Sequence, residues 1–366
     1  MSASDLCERE APPAERTGTR RVDFGTRTAV LRRGPFSLRL RLRSALVGLG
    51  LVLATVLVSI AALCLGDLPL SVPEVIAVFL GRQDGIVQTV VLDWRLPRVL
   101  GAAVFGAALG VSGAIFQSMT RNPLASPDII GLSAGSYTGG MVVIILLGGG
   151  ALPVAAGSLV GGLGAAALVY LLAYRKGLQG FRLIIVGIGI SAMLSAVSTY
   201  LVLRAKLEIA MTAAIWGAGS LNPVGWTQFL PSLVVIGLAF GVLAFLATPM
   251  RQLELGDDAA TALGSRIEPA RLGLVLCAVA LTAVVTAAAG PIAFVALAAP
   301  QVARRLTRSP GVALMPSALF GALMLAASDI VAQHALPIPL PVGLVTVVIG
   351  GGYLVWLLIH ETRRRT

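Results

Sequence analysis

Long apolar runs separated by short polar loops make up most of the 366-residue chain. An α-helix needs about 20 mainly apolar residues to cross the hydrocarbon core of a bilayer. By this criterion the pattern predicts an all-α membrane protein with ten transmembrane helices. The predicted helices cover residues 45–66, 97–118, 127–148, 151–173, 182–203, 228–248, 271–289, 291–306, 312–333 and 341–360.

Composition supports lipid rather than water as the solvent for this chain. Hydrophobic residues make up 57% of it and charged residues only 12%, whereas about a quarter of the residues in a soluble domain are charged. A water-soluble fold cannot cover this much apolar surface. We therefore predict a multi-pass membrane protein.

Basic residues are distributed unevenly between the loops, and this asymmetry orients the chain. Cytoplasmic loops of membrane proteins carry an excess of Lys and Arg. With the N-terminus inside, 23 of the 28 basic residues fall on the inner side. The five on the outer side are Arg82, Arg95, Arg98, Arg204 and Lys206. This predicts that both termini are cytoplasmic. Because no stripe of interleaved basic and aromatic residues occurs, we predict no nucleic-acid partner.

Residues 1–44 precede the first apolar run and contain ten of the basic residues. Their polar, Arg-rich composition predicts a disordered cytoplasmic arm. The apolar run that follows is too long for the core of a signal peptide, so we expect it to be retained as the first span. Residues 45–366 are then expected to form one ten-helix membrane domain.

The sequence contains no signature of nucleotide hydrolysis or covalent catalysis. A phosphate-binding loop of the G-x-x-x-x-G-K-[ST] type needs a lysine, and neither Lys176 nor Lys206 closes such a loop. The three cysteines are not spaced for a metal or redox site. We therefore predict a non-catalytic protein with no directly bound cofactor or metal.

Ionisable residues inside the predicted spans are scarce, although ion-coupled carriers usually mark their pathway with them. Asp329 lies near the outer end of the ninth span, and Asp128 lies at the inner edge of the third. Asp128 follows Pro127 and is interpreted as a helix cap. A separate ATPase subunit would explain this scarcity. The alternative from another class is a proton-coupled carrier with Asp329 as its relay.

Two short glycine motifs predict close contacts between spans. GAALG at 106–110 and GSLVG at 157–161 place small residues four positions apart. In lipid, such spacing lets helix backbones approach closely enough for van der Waals packing to drive association.

A cytoplasmic loop at 249–270 joins the sixth and seventh predicted spans and contains LELGDDAATALGSR. Two acids at the start suit the positive end of a helix, the alanines favour helix, and a glycine can end it. We predict a short helix that fits a groove on a soluble ATPase partner. The residues assigned to this contact are Asp257, Asp258, Ala259, Ala260 and Gly264. The alternative is a solvated loop helix without a partner.

Six blocks of sequence, in a fixed order, resemble the FecCD family of iron-siderophore and cobalamin permeases. They are WRLPRVLGAAVFGAALGVSGAIFQSMTRNPLASPDIIGLSAGS at 94–136, FRLIIVGIGISAMLSA at 181–196, WGAGSLNP at 216–223, LELGDD at 253–258, AGPIAFVALAAPQVARRL at 289–306 and LPVGLVTVVIGG at 340–351. The resemblance extends from about residue 45 to the C-terminus. Within the family, the sequence is most similar to permease subunits for ferric enterobactin, a catecholate siderophore.

The resemblance implies a permease subunit of a type II ABC importer in the cytoplasmic membrane. Two permease subunits, identical or paired with a sister chain, would form one pathway for a ferric siderophore. Two ATPase subunits would dock below and use ATP, and a siderophore-binding protein would dock above. The acid-Ala-Ala-x-x-x-Gly pattern resembles the family's coupling loop with Asp in place of Glu. The alternative cargoes within this class are haem, cobalamin and hydroxamate siderophores.

The motif R-L-P-R contains the two outer arginines Arg95 and Arg98. In the family, the matching arginines meet acidic side chains of the binding protein, and the planar guanidinium suits two-pronged contact with carboxylate. The alternative is that they anchor the second span, paired with Asp93. A third docking arginine of the cobalamin member would fall at Gln333, which departs from that scheme.

The family's cytoplasmic gate maps onto Gly180 and Phe181, where the fourth and fifth spans meet. A Pro-His pair that is common in the family reads Pro300-Gln301 here. This departure excludes a titratable imidazole at that position and leaves a role in helix packing open. TRNP at 120–123 and TRSP at 307–310 both follow spans that run inward, as two copies of one repeat would.

Overall fold

The computed structural model describes residues 28–33, 36–128, 131–174 and 180–363. The chain divides into two compact units, residues 1–45 and residues 46–366. Each unit is described separately.

The N-terminal unit contains an antiparallel hairpin of strands β1 (Thr28–Arg33) and β2 (Phe36–Arg41). The disorder predicted for residues 1–44 stays a prediction. The strand sequence FSLRLR alternates apolar and polar residues, a period typical of β-structure that overall composition does not reveal. Residues 1–27 lie outside the described part of the chain.

Helices form nearly all of the regular structure described in the second unit. Up to residue 173 they are α1 (Leu42–Cys64), α2 (Val72–Phe79), α3 (Ile86–Gln88), α4 (Leu96–Thr120), α5 (Leu132–Val142) and α6 (Ala151–Ala173). The remainder are α7 (Gly180–Arg204), α8 (Leu207–Gly217), α9 (Trp226–Glu254), α10 (Asp257–Ala262), α11 (Ile267–Ala289), α12 (Val295–Thr307), α13 (Leu314–His334) and α14 (Val342–Arg363). Two π-helical turns, Thr89–Arg95 and Val143–Leu147, precede α4 and follow α5.

Each of the ten predicted spans overlaps one of these helices, but the helices differ in length. Within the described residues, seven are long and apolar enough to cross a membrane. They are Leu42–Cys64, Ile86–Thr120, Leu152–Ala173, Arg182–Arg204, Trp226–Glu254, Ile267–Ala289 and Leu314–His334. Shorter apolar helices occupy Leu132–Leu147, Leu207–Gly217 and Val342–Leu357.

The eighth predicted span, 291–306, is wrong as a full-length helix. It forms α12, which has 13 residues and is therefore only about 20 Å long. Gly290 and Phe294 have positive φ values of 73° and 67°, so the chain between α11 and α12 is not helical.

Two further corrections concern helix starts and short helices. The third predicted span begins at Leu132 rather than at residue 127, with Gly131 in the N-cap position. Helices α2 and α8 were not predicted, because with 8 and 11 residues they fall below a criterion set for spans.

Burial separates a central group of helices from a peripheral group. In the most apolar 18-residue segment of the span formed by α3 and α4, 78% of the segment is buried, whereas 11% of the corresponding segment of α1 is buried. Phe105 and Phe116 of α4 and Leu281 of α11 are fully buried. The exposed faces of the peripheral helices are themselves rich in large apolar residues, as expected where the solvent is lipid. Helix α4 is thus the centre of the bundle.

Close glycine contacts join neighbouring helices, as both glycine motifs predicted. A side chain at Gly106 of α4 would overlap the carbonyl of Gly321 in α13, and one at Gly321 would overlap the carbonyl of Gly106. The second motif is similar, because Gly161 of α6 lies against the backbone of Gly135 and Gly139 in α5. These pairs bring backbones together without intervening side chains.

Buried hydrogen bonds fix α4 to the rest of the core. Ser112 donates to the carbonyl of Ala278 in α11 at 2.8 Å and lies 2.8 Å from the hydroxyl of Thr282. Gln117 donates to the carbonyl of Leu297 in α12 at 3.0 Å. With 25 residues, α4 is about 37 Å long and carries one candidate site at each end.

Candidate functional site

The short helix α10 lies in the connection between α9 and α11, as the sequence predicted. The loop itself is shorter than predicted, since α9 continues through Glu254 and includes Pro249. The irregular connection therefore begins at residue 255 rather than 249 and ends before Ile267.

Helix α10 begins and ends as its sequence indicated. Asp257 and Asp258 occupy the first turn, where carboxylates interact favourably with the exposed backbone N–H groups. At the other end, Gly264 has φ +83° and its N–H donates to Thr261 at 2.9 Å. The N–H of Ser265 donates to Ala260 at 3.0 Å, which completes a Schellman cap.

The two faces of α10 have different environments. Ala260 is fully buried against the bundle and Ala259 is half-buried. Asp258, Ala262 and Leu263 are exposed, Leu263 to 58%. Of the residues predicted to meet a partner, Ala260 instead seats the helix on its own chain.

The two aspartates of α10 also differ. Asp257 accepts hydrogen bonds from Arg271 of α11 at 3.0 and 3.1 Å and from Arg121 at 3.2 Å. The side chain of Arg271 is only 9% exposed, whereas Asp257 is 51% exposed. Asp258 forms no hydrogen bond or ion pair with any residue in the described part of the chain. Asp257 therefore holds the helix, and Asp258 is the acid available to a partner.

Glu254, to which sequence reasoning gave no role, completes this end of the bundle. Its Oε1 accepts the hydroxyl of Ser118 in α4 at 2.9 Å and the backbone N–H of Val312 at 3.2 Å. Arg121 also donates to the carbonyl of Leu253 at 3.1 Å. The available sequence signal was an acidic residue at the last position of an apolar run.

The two TR-x-P motifs have the same local geometry. Arg121 ends α4 with φ +50°, and Arg308 ends α12 with φ +49°. Both conformations are left-handed, which is uncommon for residues other than glycine. The likeness between the two motifs is thus visible in the backbone as well as in sequence.

Arg98 lies at the opposite end of α4 and is bound within the chain. Its Nε and Nη2 donate to the two carboxylate oxygens of Asp329 in α13 at 2.9 and 2.7 Å. The Asp329 side chain is 7% exposed and that of Arg98 is 20% exposed. The alternative pairing of Arg98 with Asp93 is therefore wrong. Sequence could not identify this partner, because it lies 231 positions away.

Arg95 is also engaged. Its Nη1 and Nη2 donate to the carbonyls of Leu63 at 2.7 Å and Leu68 at 2.6 Å. These bonds satisfy carbonyls at and just beyond the end of α1, which have no helical partner. Docking of another protein on either arginine stays a prediction.

A cavity of about 590 Å³ opens at this end of the bundle. Its lining includes both arginines, Asp329 and the exposed indole of Trp94. Gln333, where a third arginine was considered, also lines the cavity and donates to Asn222 at 2.9 Å. The cavity lining is therefore mixed polar and apolar, and Arg98 and Asp329 within it are paired with each other.

Near this end, α2 begins with an acid that hydrogen-bonds its own cap. The backbone N–H and the hydroxyl of Ser71 both donate to Glu74, each at 2.7 Å. These bonds favour the ionised carboxylate and lower the pKa of Glu74.

The predicted gate residues lie at the start of α7. Gly180 is the first residue of that helix and Phe181 the second. The side chain of Phe181 lies outside the described part of the chain, so its role as a gate stays a prediction.

Two polar side chains fix the segment between α4 and α5. Gln301 of α12 donates to the carbonyl of Pro123, which supports the packing role left open for this position. Asp128 is half-buried and accepts the hydroxyl of Ser133 at 2.6 Å. It does not occupy the N-cap position of α5, because that helix starts later than predicted.

The described residues contain no group of three or more His, Cys, Asp or Glu side chains able to hold a metal ion. Within the same part of the chain, Cys64 and Cys277 are free thiols. The features present are apolar helices, close glycine packing and an external helix clamped to the bundle. Fold and site together define a polytopic membrane protein with a short, partly exposed helix, α10, at one end of the bundle.

Comparison with known proteins agrees with this class. The chain belongs to the FecCD transport family, whose model matches residues 52–360. This is a family of ABC transporter permease subunits, and the protein is a multi-pass membrane protein.

Individual relatives cover most of the chain. It is 49% identical over 316 residues to the ferric enterobactin transport system permease protein FepG of Escherichia coli K12, covering 86% of this chain and 96% of the relative. It is 36% identical over 319 residues to the iron(3+)-hydroxamate import system permease protein FhuG of Bacillus subtilis 168, covering 84% and 94%. A solved structure of an inward-facing metal-chelate type ABC transporter matches with TM-score 0.77 and 29% identity, covering 87% of this chain and 99% of that one.

Proposed function

We propose that this chain is the membrane permease subunit of an ABC importer that moves a ferric siderophore, of the catecholate class to which enterobactin belongs, into the cytoplasm. The observation that carries the proposal is 49% identity to FepG over 96% of that protein's length. The chain itself performs no covalent chemistry and binds no cofactor. ATP is hydrolysed by separate subunits.

The proposed topology has ten spans with both termini in the cytoplasm. Seven long helices would be joined by α5 with its π-helical extension, by α14, and by α12 together with the extended residues before it. The uneven distribution of Lys and Arg supports this orientation. It puts α10 in the cytoplasm and the cavity beside Arg98 outside.

Helix α10 is proposed to receive the movement of the ATPase dimer. Its exposed face offers Asp258, Ala262 and Leu263 to a groove on the ATPase. Its buried face and the Asp257–Arg271 pair hold it against the bundle. Because the helix is seated in this way, displacement by the ATPase would tilt α9 and α11 rather than bend a loose loop.

The proposed pathway lies between this chain and a second permease subunit. Helix α7 supports this, since its most apolar window is only 22% buried within one chain. Its exposed face includes Ser195, Ala196 and Thr199, which suit a large polar cargo. On α14 the exposed face is more apolar and includes Val348. Gly180 and Phe181 would form the inner gate at the base of α7.

The siderophore-binding protein is proposed to dock at the cavity beside Arg95 and Arg98. Both arginines line that cavity, but each already donates two hydrogen bonds within the chain. An acidic side chain of the binding protein would therefore share Arg98 with Asp329 rather than meet a free guanidinium.

Uptake by a strain that lacks this chain tests the proposal. Restoring the chain should restore entry of radiolabelled iron supplied as ferric enterobactin, and dissipating the proton gradient in ATP-loaded vesicles should not stop it. Preferential uptake of a ferric hydroxamate, haem or cobalamin would reassign the cargo. Transport that survives ATP depletion but stops without the proton gradient would refute an ATP-driven importer. No structural observation favours that outcome, since Asp329 is paired with Arg98.

A matched pair of charge reversals tests the role of α10. Asp258→Lys should reduce co-purification of the ATPase and lower uptake by about tenfold or more, because like or unpaired charge at an interface costs several kcal/mol. Glu208→Lys reverses an equally exposed acid on α8 and should leave both unchanged. Normal uptake and normal ATPase binding in the Asp258 variant would contradict the assignment.

A further inference from the structure

We propose that Glu254 is the positioning residue that links the movement of α10 to α4 and α13. The inference rests on the proposed function and assigns a role in it to one residue. Glu254 ends α9, two positions before Gly256, whose φ is +118°. It therefore lies at the point where the long helix meets the short one.

One oxygen of Glu254 joins three segments that are distant in sequence. Its Oε1 accepts hydrogen bonds from the hydroxyl of Ser118 and from the backbone N–H of Val312. Ser118 is 4% exposed and lies in the last turn of α4, and Val312 lies two residues before α13 begins. The separations are 136 and 58 positions. Hydrogen bonds to a carboxylate are about twice as strong as those between neutral groups. These two hydrogen bonds, called the tie below, are therefore each stronger than a hydrogen bond between neutral groups.

The backbone opposite Glu254 leaves room for its carboxylate. A side chain at Gly311 would overlap Oε2 of Glu254. Gly311 does not have a positive φ, so its conformation is open to other residues. The absence of a side chain at Gly311 therefore leaves space for the Glu254 carboxylate and is not required by the backbone conformation of Gly311.

The tie complements the clamp formed by Asp257. Arg271 and Arg121 connect Asp257 to α11 and to the end of α4, whereas Glu254 reaches the segment that leads into α13. Helices α4 and α13 are in backbone contact along the Gly106–Gly321 seam. Loss of the tie would remove the link to the segment before α13, and α10 would remain joined to α4 only through the half-exposed ion pair of Arg121 with Asp257. The expected defect is lost coupling rather than lost assembly.

The test uses the complete transporter, with its ATPase and second permease, in proteoliposomes supplied with the binding protein and ferric enterobactin. The readout is the number of siderophores transported per ATP hydrolysed. Glu254→Ala should keep the ATPase bound and active but lower this ratio about tenfold, within the range of site-to-site coupling energies. Glu254→Gln retains the Oε1 acceptor and should keep the ratio within about threefold of wild type.

Two further variants test the tie, and the first of them remains informative if Glu254→Ala is poorly expressed. Gly311→Ala should displace the carboxylate and lower the ratio without changing Glu254. Ser118→Ala combined with Glu254→Ala should lower the ratio no further than Glu254→Ala alone, because Glu254→Ala already removes the hydrogen bond to Ser118. Glu208→Ala, which removes an exposed acid in the first turn of α8, is the control and should leave the ratio unchanged.

An unchanged ratio in Glu254→Ala and Gly311→Ala, with normal transport by wild type, would overturn this inference and leave the proposed function intact. Loss of the ATPase from the purified Glu254→Ala complex would overturn it too, since the role would then be assembly. Wild-type complex that moves no ferric siderophore with ATP would overturn the proposed function, and this inference with it.

Discussion

Two end clusters of charged side chains, Arg98 with Asp329 and Asp257 with Arg121 and Arg271, hold the protein's own helices together. Arg98 pairs with Asp329, and Arg271 pairs with Asp257. In both pairs one partner is less than a tenth exposed. Removing one member of a buried pair leaves an uncompensated charge, which costs more than the pair contributes. The arginine that resembles a docking residue is therefore also a structural residue.

Substitution of Asp329 tests this structural role. Asp329→Ala should lower the free energy of unfolding by about 3 kcal/mol, because Arg98 is left unpaired at a largely buried position. The combined Arg98→Ala and Asp329→Ala variant should lose less than the two single losses added together. Thermal unfolding of the detergent-purified protein measures both.

Asp67→Ala provides the control, since Asp67 lines the same cavity but is exposed. It should change stability by less than about 0.5 kcal/mol, as is usual for surface substitutions. Additive losses in the double variant would show that the two side chains do not stabilise one another.

At the scale of single helices, backbone packing along glycine seams determines which helices pair. Gly106 and Gly321 exclude side chains from one another's position, so α4 and α13 lie in direct backbone contact. The sequence motif around Gly106 predicted a close partner. It did not identify α13, because the partner's glycine lies more than 200 positions away and the spacing within one helix does not specify which helix it contacts.

Enlarging one glycine in the seam should separate these helices. Gly106→Leu should lower the free energy of unfolding by about 3 kcal/mol, the upper end of the cost of overpacking a core. Gly241→Leu in α9 is the matched control, since nothing lies within 4 Å of a Cβ at Gly241. Thermal unfolding and the yield of monodisperse protein measure the difference. Equal losses of stability in the two variants would contradict a direct backbone contact between α4 and α13 at Gly106.

Helix lengths were partly predictable and partly not. Apolar runs located most of the long helices to within a few residues, as for α6, which coincides with the predicted 151–173. They failed at α12, because residues 290–294 are apolar yet non-helical. Hydropathy records preference for lipid and does not report backbone conformation, so a run that bends inside the core looks like a span.

For the molecule as a whole, burial is concentrated on a few helices. Helices α4, α11 and α13 contain the most buried windows, from 50% to 78%, while α1 lies at the periphery. The two end clusters lie at opposite ends of α4, so a shift of this helix would change both. A central rigid helix is suited to relate events on the two membrane surfaces.

Cysteine labelling tests the proposed orientation of the whole chain. In a variant with its native cysteines replaced, Ala262→Cys in α10 should react with a membrane-impermeant maleimide only in inverted vesicles. Asp84→Cys, in an exposed loop before α3, should react only in right-side-out vesicles. The reason is the excess of Lys and Arg on the α10 side. The reverse pattern would overturn the N-in, C-in topology.

The sequence by itself determined the membrane class, the family resemblance and the position of the short helix between α9 and α11. These depend on local composition, on contiguous motifs and on helix-end signals such as Gly264. The tertiary structure decided which charges are free, because Asp257 meets Arg121 and Arg98 meets Asp329 only when distant segments pack together. It also revealed Glu254 as a link between α4, α9 and the start of α13. Pairing across more than a hundred positions leaves no periodic signal, since it depends on the packing of whole helices.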